Sequence, residues 1–216
     1  MRNDTPLILP LGDRAMVVRF AEVLSLAANS QALGLARVLN TDPIAGVAEI
    51  APGLASVLLR YEPRTIGFDR LAGEVRLRLS GAERVALPEP RQLSAAIRFD
   101  GPDLPAVLSA LGLDQATFIG LHNRAELTVL ATGFAPGFIY CGLHPEALHM
   151  PRRSTVRPSV PAGTVLFAAG QTAVTATTIP TGWSVIGTTS FTNFDPTRAD
   201  PLTLHAGDRI RFTEAA

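Results

Sequence analysis

Three arginines, Arg152, Arg153 and Arg157, fall within six residues, bracketed by Pro151 and Pro158. A guanidinium presents a planar fork of donors that matches a carboxylate or a phosphate. Three on one proline-bounded loop can hold a carboxylate and a phosphoryl group together; the alternative is a solvated or partner-facing patch. Gln171 and Thr172 follow Gly170 and can fix a planar amide or carboxylate by hydrogen bonds, or simply cap a turn. Upstream runs Gly133-Phe134-Ala135-Pro136-Gly137-Phe138-Ile139-Tyr140. Its glycines let backbone approach a ligand closely or make ordinary turns. Phe134, Phe138 and Tyr140 alternate as residues on one side of a strand do, facing either a pocket or the core. The candidate binding set is therefore Phe134, Pro136, Gly137, Phe138, Arg152, Arg153, Arg157, Gln171 and Thr172, gathered around a small anion. Trp183, the sole tryptophan, reads as a barrel-core or interface residue.

Other chemistries find less support. The chain contains no lysine, which removes a P-loop lysine, a Schiff-base lysine and a lysine general base. Any phosphate here must be held by arginine, backbone N–H groups or hydroxyls, or by a partner's lysine. Cys141 is the single cysteine, so no internal disulfide forms, and it has no obvious activating neighbour. His144 and His149 are five apart, not the four that puts two ligands on one helical face, so no metal site is expected. His122 reads as a helix-terminal cap, with proton transfer as the alternative role. Acidic and basic residues balance at 19 each, without a long run of either sign. Nucleic-acid and membrane partners are not expected. The N-terminal residues lack a secretory signal, which points to the cytoplasm.

The elements that must position these residues follow from periodicity. Ala15 to Phe20 reads as a strand after a Gly12-Asp13 turn, Leu24 to Leu39 as a helix, and Gly46–Ile50 with Ser56–Tyr61 as a hairpin. A second helix spans Phe68 to Leu79, and a last strand lies near Arg84 to Leu87. This order is the split β-α-β pattern of a ferredoxin-like α+β domain. Pro88-Glu89-Pro90 breaks any element and marks a boundary between residues 1–88 and 91–216. Beyond it come a strand at Leu93 to Phe99, a helix at Leu104 to Leu111 capped by Asp103, a helix at Gln115 to His122 capped by Asp114, and a strand at Leu127 to Ala131. After Gly133 short apolar runs alternate with Gly and Pro, as in a mainly β barrel.

The motifs Gly133-Phe134-Ala135-Pro136-Gly137-Phe138, Pro151-Arg152-Arg153, Val160-Pro161-Ala162-Gly163 and Ala169-Gly170-Gln171-Thr172 occur in this order. Gly182-Trp183, Phe194-Asp195-Pro196 and Ala206-Gly207-Asp208-Arg209 follow them. In kind and spacing they resemble the KipI-like family, also called the allophanate hydrolase subunit one family, which includes the 5-oxoprolinase subunit PxpB. The resemblance implies a small α+β domain followed by a cyclophilin-like barrel. It implies work with a PxpC/KipA-like subunit and a PxpA-like subunit in ATP-dependent opening of 5-oxoproline to glutamate. ATP, with Mg, is then expected at a site shared with the partner, and the chain alone is expected to be inactive. The resemblance also leaves open a KipI-like inhibitor of a histidine kinase, or an accessory subunit of a urea carboxylase or allophanate hydrolase system. The chain departs from the family where Thr181-Gly182 replaces a glycine pair and where Phe138-Ile139-Tyr140-Cys141 replaces Phe-Pro-Tyr-Leu.

Overall fold

The computed structural model describes residues 5–82 and 89–215, so the strand expected near Arg84 lies outside the described residues. The chain divides into two compact units, Met1–Glu89 and Pro90–Ala216. Among the described residues no single helix is long and apolar enough to cross a membrane.

The first unit is a four-stranded antiparallel sheet of β1 (Leu7–Leu11), β2 (Ala15–Arg19), β3 (Val47–Pro52) and β4 (Ser56–Tyr61), in the order β1-β2-β4-β3. Helices α1 (Leu26–Thr41) and α2 (Phe68–Ala82) pack on it. Period-2 alternation sends Met16, Val18, Val57 and Leu59 inward, where they meet Leu35 and Leu39 of α1 and Leu71 and Val75 of α2. Ser25 caps α1 by accepting from the Ala28 N–H at 3.1 Å, so that helix starts two residues later than its apolar pattern suggests. The apolar run before Gly12 forms a full strand that periodicity alone does not assign; its Leu7, Leu9 and Leu11 stay largely exposed.

The second unit is built on one seven-stranded sheet. Its strands are β5 (Gln92–Ile97), β6 (Leu127–Thr132), β7 (Ile139–Gly142), β9 (Thr164–Ala168), β10 (Gln171–Val174), β12 (Ser184–Thr188) and β13 (Arg209–Glu214), in the order β12-β9-β10-β7-β6-β13-β5. A short pair, β8 (Arg157–Val160) and β11 (Ile179–Thr181), completes the strands. The sheet curls into a half-barrel, and its two edges meet at one end. Arg98, just past β5, exchanges backbone hydrogen bonds of 2.9 and 3.0 Å with Thr188 at the end of β12. The Gly101 and Asp103 N–H groups then bond Ile186 and Val185 carbonyls at 3.1 Å. Two backbones come this close only where side chains are missing: a Cβ on Gly187 would overlap the Arg98 carbonyl, and one on Gly101 would overlap the backbone at Ile186.

The curl gives the sheet two buried faces. On one, Val129, Ile139, Cys141, Val165, Phe167, Val174 and Phe212 pack with Leu104 and Val107 of α3 (Leu104–Leu111) and Phe118 of α4 (Gln115–His122). On the other, Leu166, Ala168, Ala173 and Val185 meet Phe138, Ile179 and Trp183. Thr172 and Val174 belong to the first face; Gln171 and Ala173 point the opposite way.

Candidate functional site

The second face opens into a cavity of about 300 Å³ lined by Phe134, Phe138, Tyr140, Arg152, Val156 and the segment 179–183. Its wall is a row of aromatic rings. Phe134 and Phe138 are 5.6 Å apart between centroids, Phe138 and Tyr140 4.7 Å, and Tyr140 and Trp183 5.9 Å, each pair edge to face. Strand β7 supplies Tyr140. The turn before it supplies Phe134, held at φ +73°, a conformation rare for a bulky side chain; the residue is 70% exposed. Gly137, at φ +69°, has its missing side chain's place filled by protein: a Cβ there would lie 2.5 Å from that of Phe194 and 2.7 Å from that of Ala176. Gly137 thus shapes the turn, and Pro136 lies outside the lining.

Trp183 enters just ahead of β12, its N–H donating to Thr181 Oγ1 at 3.0 Å. The arginine loop is tied to the same turn by the Arg153 N–H, which donates to the Gly182 carbonyl at 2.8 Å. This tether places the Arg152 guanidinium 5.5 Å from the Trp183 ring centroid, a cation–π distance. Arg152 is the one charged side chain in the lining, and among the described residues no hydrogen bond or ion pair engages it. Burial raises the pKa of Tyr140 above the ordinary phenol range, against the opposing charge of Arg152, so the hydroxyl keeps its proton.

The other two arginines are committed elsewhere. Arg153 Nη1 donates to Asp103 Oδ1 at 2.6 Å, and Arg157 Nη2 donates to both carboxylate oxygens at 2.9 and 3.0 Å. The Val185 N–H adds a fourth bond at 2.8 Å. Burial opposes the charge on Asp103, but the Val185 amide and the two guanidiniums outweigh it and hold the pKa below the usual carboxylate value. The expected capping of α3 by Asp103 is not what the structure shows. The Asp103 backbone sits at φ −97°, ψ −5° and its side chain makes no capping bond, because the carboxylate turns to β12 and the arginine loop. Arg157 itself opens strand β8 and does not lie in the loop.

Gln171 and Thr172 lie within β10, not at a turn, and neither lines the cavity. Thr172 Oγ1 is 2.8 Å from Nε2 of both His122 and His144. His122 Nδ1 lies 2.7 Å from Asn123 Oδ1. An amide oxygen only accepts, so His122 Nδ1 carries the proton and Nε2 accepts from the Thr172 hydroxyl, which in turn accepts from His144 Nε2–H. His122 is therefore not the helix cap expected of it but part of a buried chain, ringed by Phe99, Phe118, Phe167 and Phe212. Burial drives its pKa down to about 4, against a small opposing effect of Asn123, and that of His144 to about 2, so both rings are neutral. Gln171 is 5% exposed, and its Oε1 has no partner among the described residues. No group of three His, Cys, Asp or Glu among the described residues is placed to hold a metal ion.

The cavity thus unites Phe134, Phe138 and Arg152, and adds Tyr140, Val156, Ile179 and Trp183. Arg153, Arg157, Gln171, Thr172, Pro136 and Gly137 stand outside it. Asp103, absent from the candidate set, decides which arginines are free. Its position at the start of a helix is what hid that role.

Residues 6–204 match the family described as carboxyltransferase domain, subdomain C and D. The B subunit of the 5-oxoprolinase of Escherichia coli O157:H7 is 37% identical over 208 residues, 94% of this chain and 93% of that protein. The crystal structure of TTHA0988 superposes with a TM-score of 0.80 at 36% identity; the match covers 94% of this chain and 40% of that one. The K. lactis urea amidolyase shares the fold, with a TM-score of 0.81 at 15% identity, over 98% of this chain and 15% of the amidolyase. With its length matched almost end to end, the chain belongs to the carboxyltransferase subdomain C and D family, and within it resembles the B subunits of 5-oxoprolinases.

Proposed function

We propose that this chain is a cytoplasmic subunit of a 5-oxoprolinase, the system that opens 5-oxo-L-proline to L-glutamate with hydrolysis of ATP. The observation that carries this reading is the 37% identity to a 5-oxoprolinase B subunit across nearly the full length of both chains. The cavity is consistent with it. It offers one cation and an aromatic wall to a small ring that bears one carboxylate. The same reading takes the first unit as a ferredoxin-like domain and the second as a cyclophilin-like barrel. In support, β4 lies between β2 and β3 in the first sheet, and the sheet edges meet at Arg98 and Thr188 in the second.

Nucleotide chemistry does not fit this chain's own cavity. A triphosphate with Mg needs several cationic or metal-ligating groups, whereas the lining holds Arg152 alone and the neighbouring arginines are bound to Asp103. The part assigned to this chain is to bind and orient the acid and keep water from its ring. PxpC/KipA-like and PxpA-like subunits complete the reaction; in TTHA0988 the matched region is likewise a minority of a longer chain. The test is glutamate formation from 5-oxoproline and ATP. The chain mixed with both partner subunits is expected to produce it and the chain alone is not. A silent mixture, or an active lone chain, rejects the proposal.

A further inference from the structure

Of the three neighbouring guanidiniums, Arg152 and Arg153 in the loop and Arg157 at the start of β8, only one is open to a ligand. Asp103 is largely buried and takes four hydrogen bonds, three of them from Arg153 and Arg157. Redirecting either arginine to a ligand strips donors from a carboxylate that burial already disfavours, which is strongly opposed. Arg152 has no such competitor; only the Trp183 face holds it, and a cation–π contact leaves the in-plane N–H groups free to donate. The cavity's remaining walls are Phe134, Phe138, Tyr140, Val156 and the segment 179–182, none of them charged. A volume of about 300 Å³ sits at the small end of ligand sites.

We infer that this cavity is a single-anion subsite. It takes a small cyclic monocarboxylic acid, with the carboxylate on Arg152 and the ring against the Phe138–Tyr140–Trp183 row, and it excludes polyphosphates. The phosphates of the nucleotide are then held by a different polypeptide. That 5-oxo-L-proline is the acid rests on the function proposed above; the limit of one negative charge does not.

Trp183 is the only tryptophan, so its emission reports occupancy of this cavity without interference. The full-length chain is titrated with 5-oxo-L-proline, its uncharged amide, ATP and inorganic phosphate, reading emission and calorimetric heat together. The acid is expected to bind saturably, while the amide, ATP and phosphate leave both signals flat. Arg152→Gln removes one charge-assisted contact and is expected to weaken the acid on the order of ten- to hundred-fold. The Arg152 guanidinium has no hydrogen-bond partner among the described residues, so folding is expected to be unaffected. In the assembled complex the same variant is expected to raise KM for 5-oxoproline and leave KM for ATP where it was. Binding of ATP or phosphate at the cavity, failure of the acid to bind, or an Arg152→Gln variant that binds it normally overturns the inference. An assembled complex that makes no glutamate, while the acid still binds through Arg152, rejects the function and leaves the subsite standing.

Discussion

At the residue scale, one carboxylate divides three neighbouring arginines into two roles. Asp103 engages Arg153 and Arg157 and, through its Val185 contact, locks the start of α3 to the edge strand β12. Asp103→Asn keeps the shape but loses the charge, so the amide oxygen alone cannot satisfy both guanidiniums and the Val185 N–H. A loss of about 1.5–3 kcal/mol in urea unfolding is expected at neutral pH. The folded pKa lies below the unfolded one, so the wild-type contribution is full above the ordinary carboxylate pKa of about 4 and fades only as pH falls through the lower folded value. The variant is therefore expected to differ least from wild type in strong acid. An Asn variant with wild-type stability at pH 7 contradicts this account. The clustering of Arg152, Arg153 and Arg157 was legible in the chain, as was their suitability for an anion. Their division was not, because the carboxylate that makes it lies 50 residues from Arg153 and 54 from Arg157. Gln171 shows the same limit. Its side of β10 follows from alternation, but that its Oε1 is buried without a partner among the described residues depends on what the curled sheet brings over it.

At the element scale, the half-barrel depends on two strand ends approaching without side chains between them. Gly187 sits at an ordinary φ, so replacing it tests space alone. A Cβ there would meet the Arg98 carbonyl, and the strands would have to part or shift. Gly187→Ala is expected to destabilise by about 1–3 kcal/mol, measured by thermal or urea denaturation. Gly112, a left-handed cap closing α3 with open space around it, offers a contrast: Ala there is strained by its φ of +66° and not by a clash. The strands after Gly133 were readable as short runs between turn residues. Their order was not, since β13 pairs in parallel with β5 across more than a hundred residues of chain. The N-terminal strand β1 is illegible for a related reason. Its exposed leucines carry no buried face to announce, and only pairing with β2 makes it a strand.

At the scale of the molecule, the second unit carries an acid-sensitive core. His122 and His144 meet on the Thr172 hydroxyl, among the aromatic rings of Phe99, Phe118, Phe167 and Phe212. His149 is the other titratable group that acts on His144, and it too disfavours added positive charge. The folded pKa values, about 4 and about 2, lie below the ordinary histidine value, so the unfolded chain takes up protons more readily than the folded one. Stability is then full above about pH 6.5 and falls as pH drops toward 4. His144→Leu removes one of the two groups and is expected to flatten the decline in urea midpoint between pH 7 and pH 5; an unchanged slope argues against the pair as its source. Taken alone, the amino-acid sequence determined what does not depend on closure: the strand and helix periods, the absence of lysine, the clustering of guanidiniums at residues 152–157 and the motifs of the family. Only the tertiary structure decided which arginine is free, where the cavity opens and that two distant histidines meet on one threonine. Those outcomes turn on contacts between segments far apart in the chain, and local spacing carries no information about which distant carboxylate, ring or hydroxyl the folded sheet will deliver.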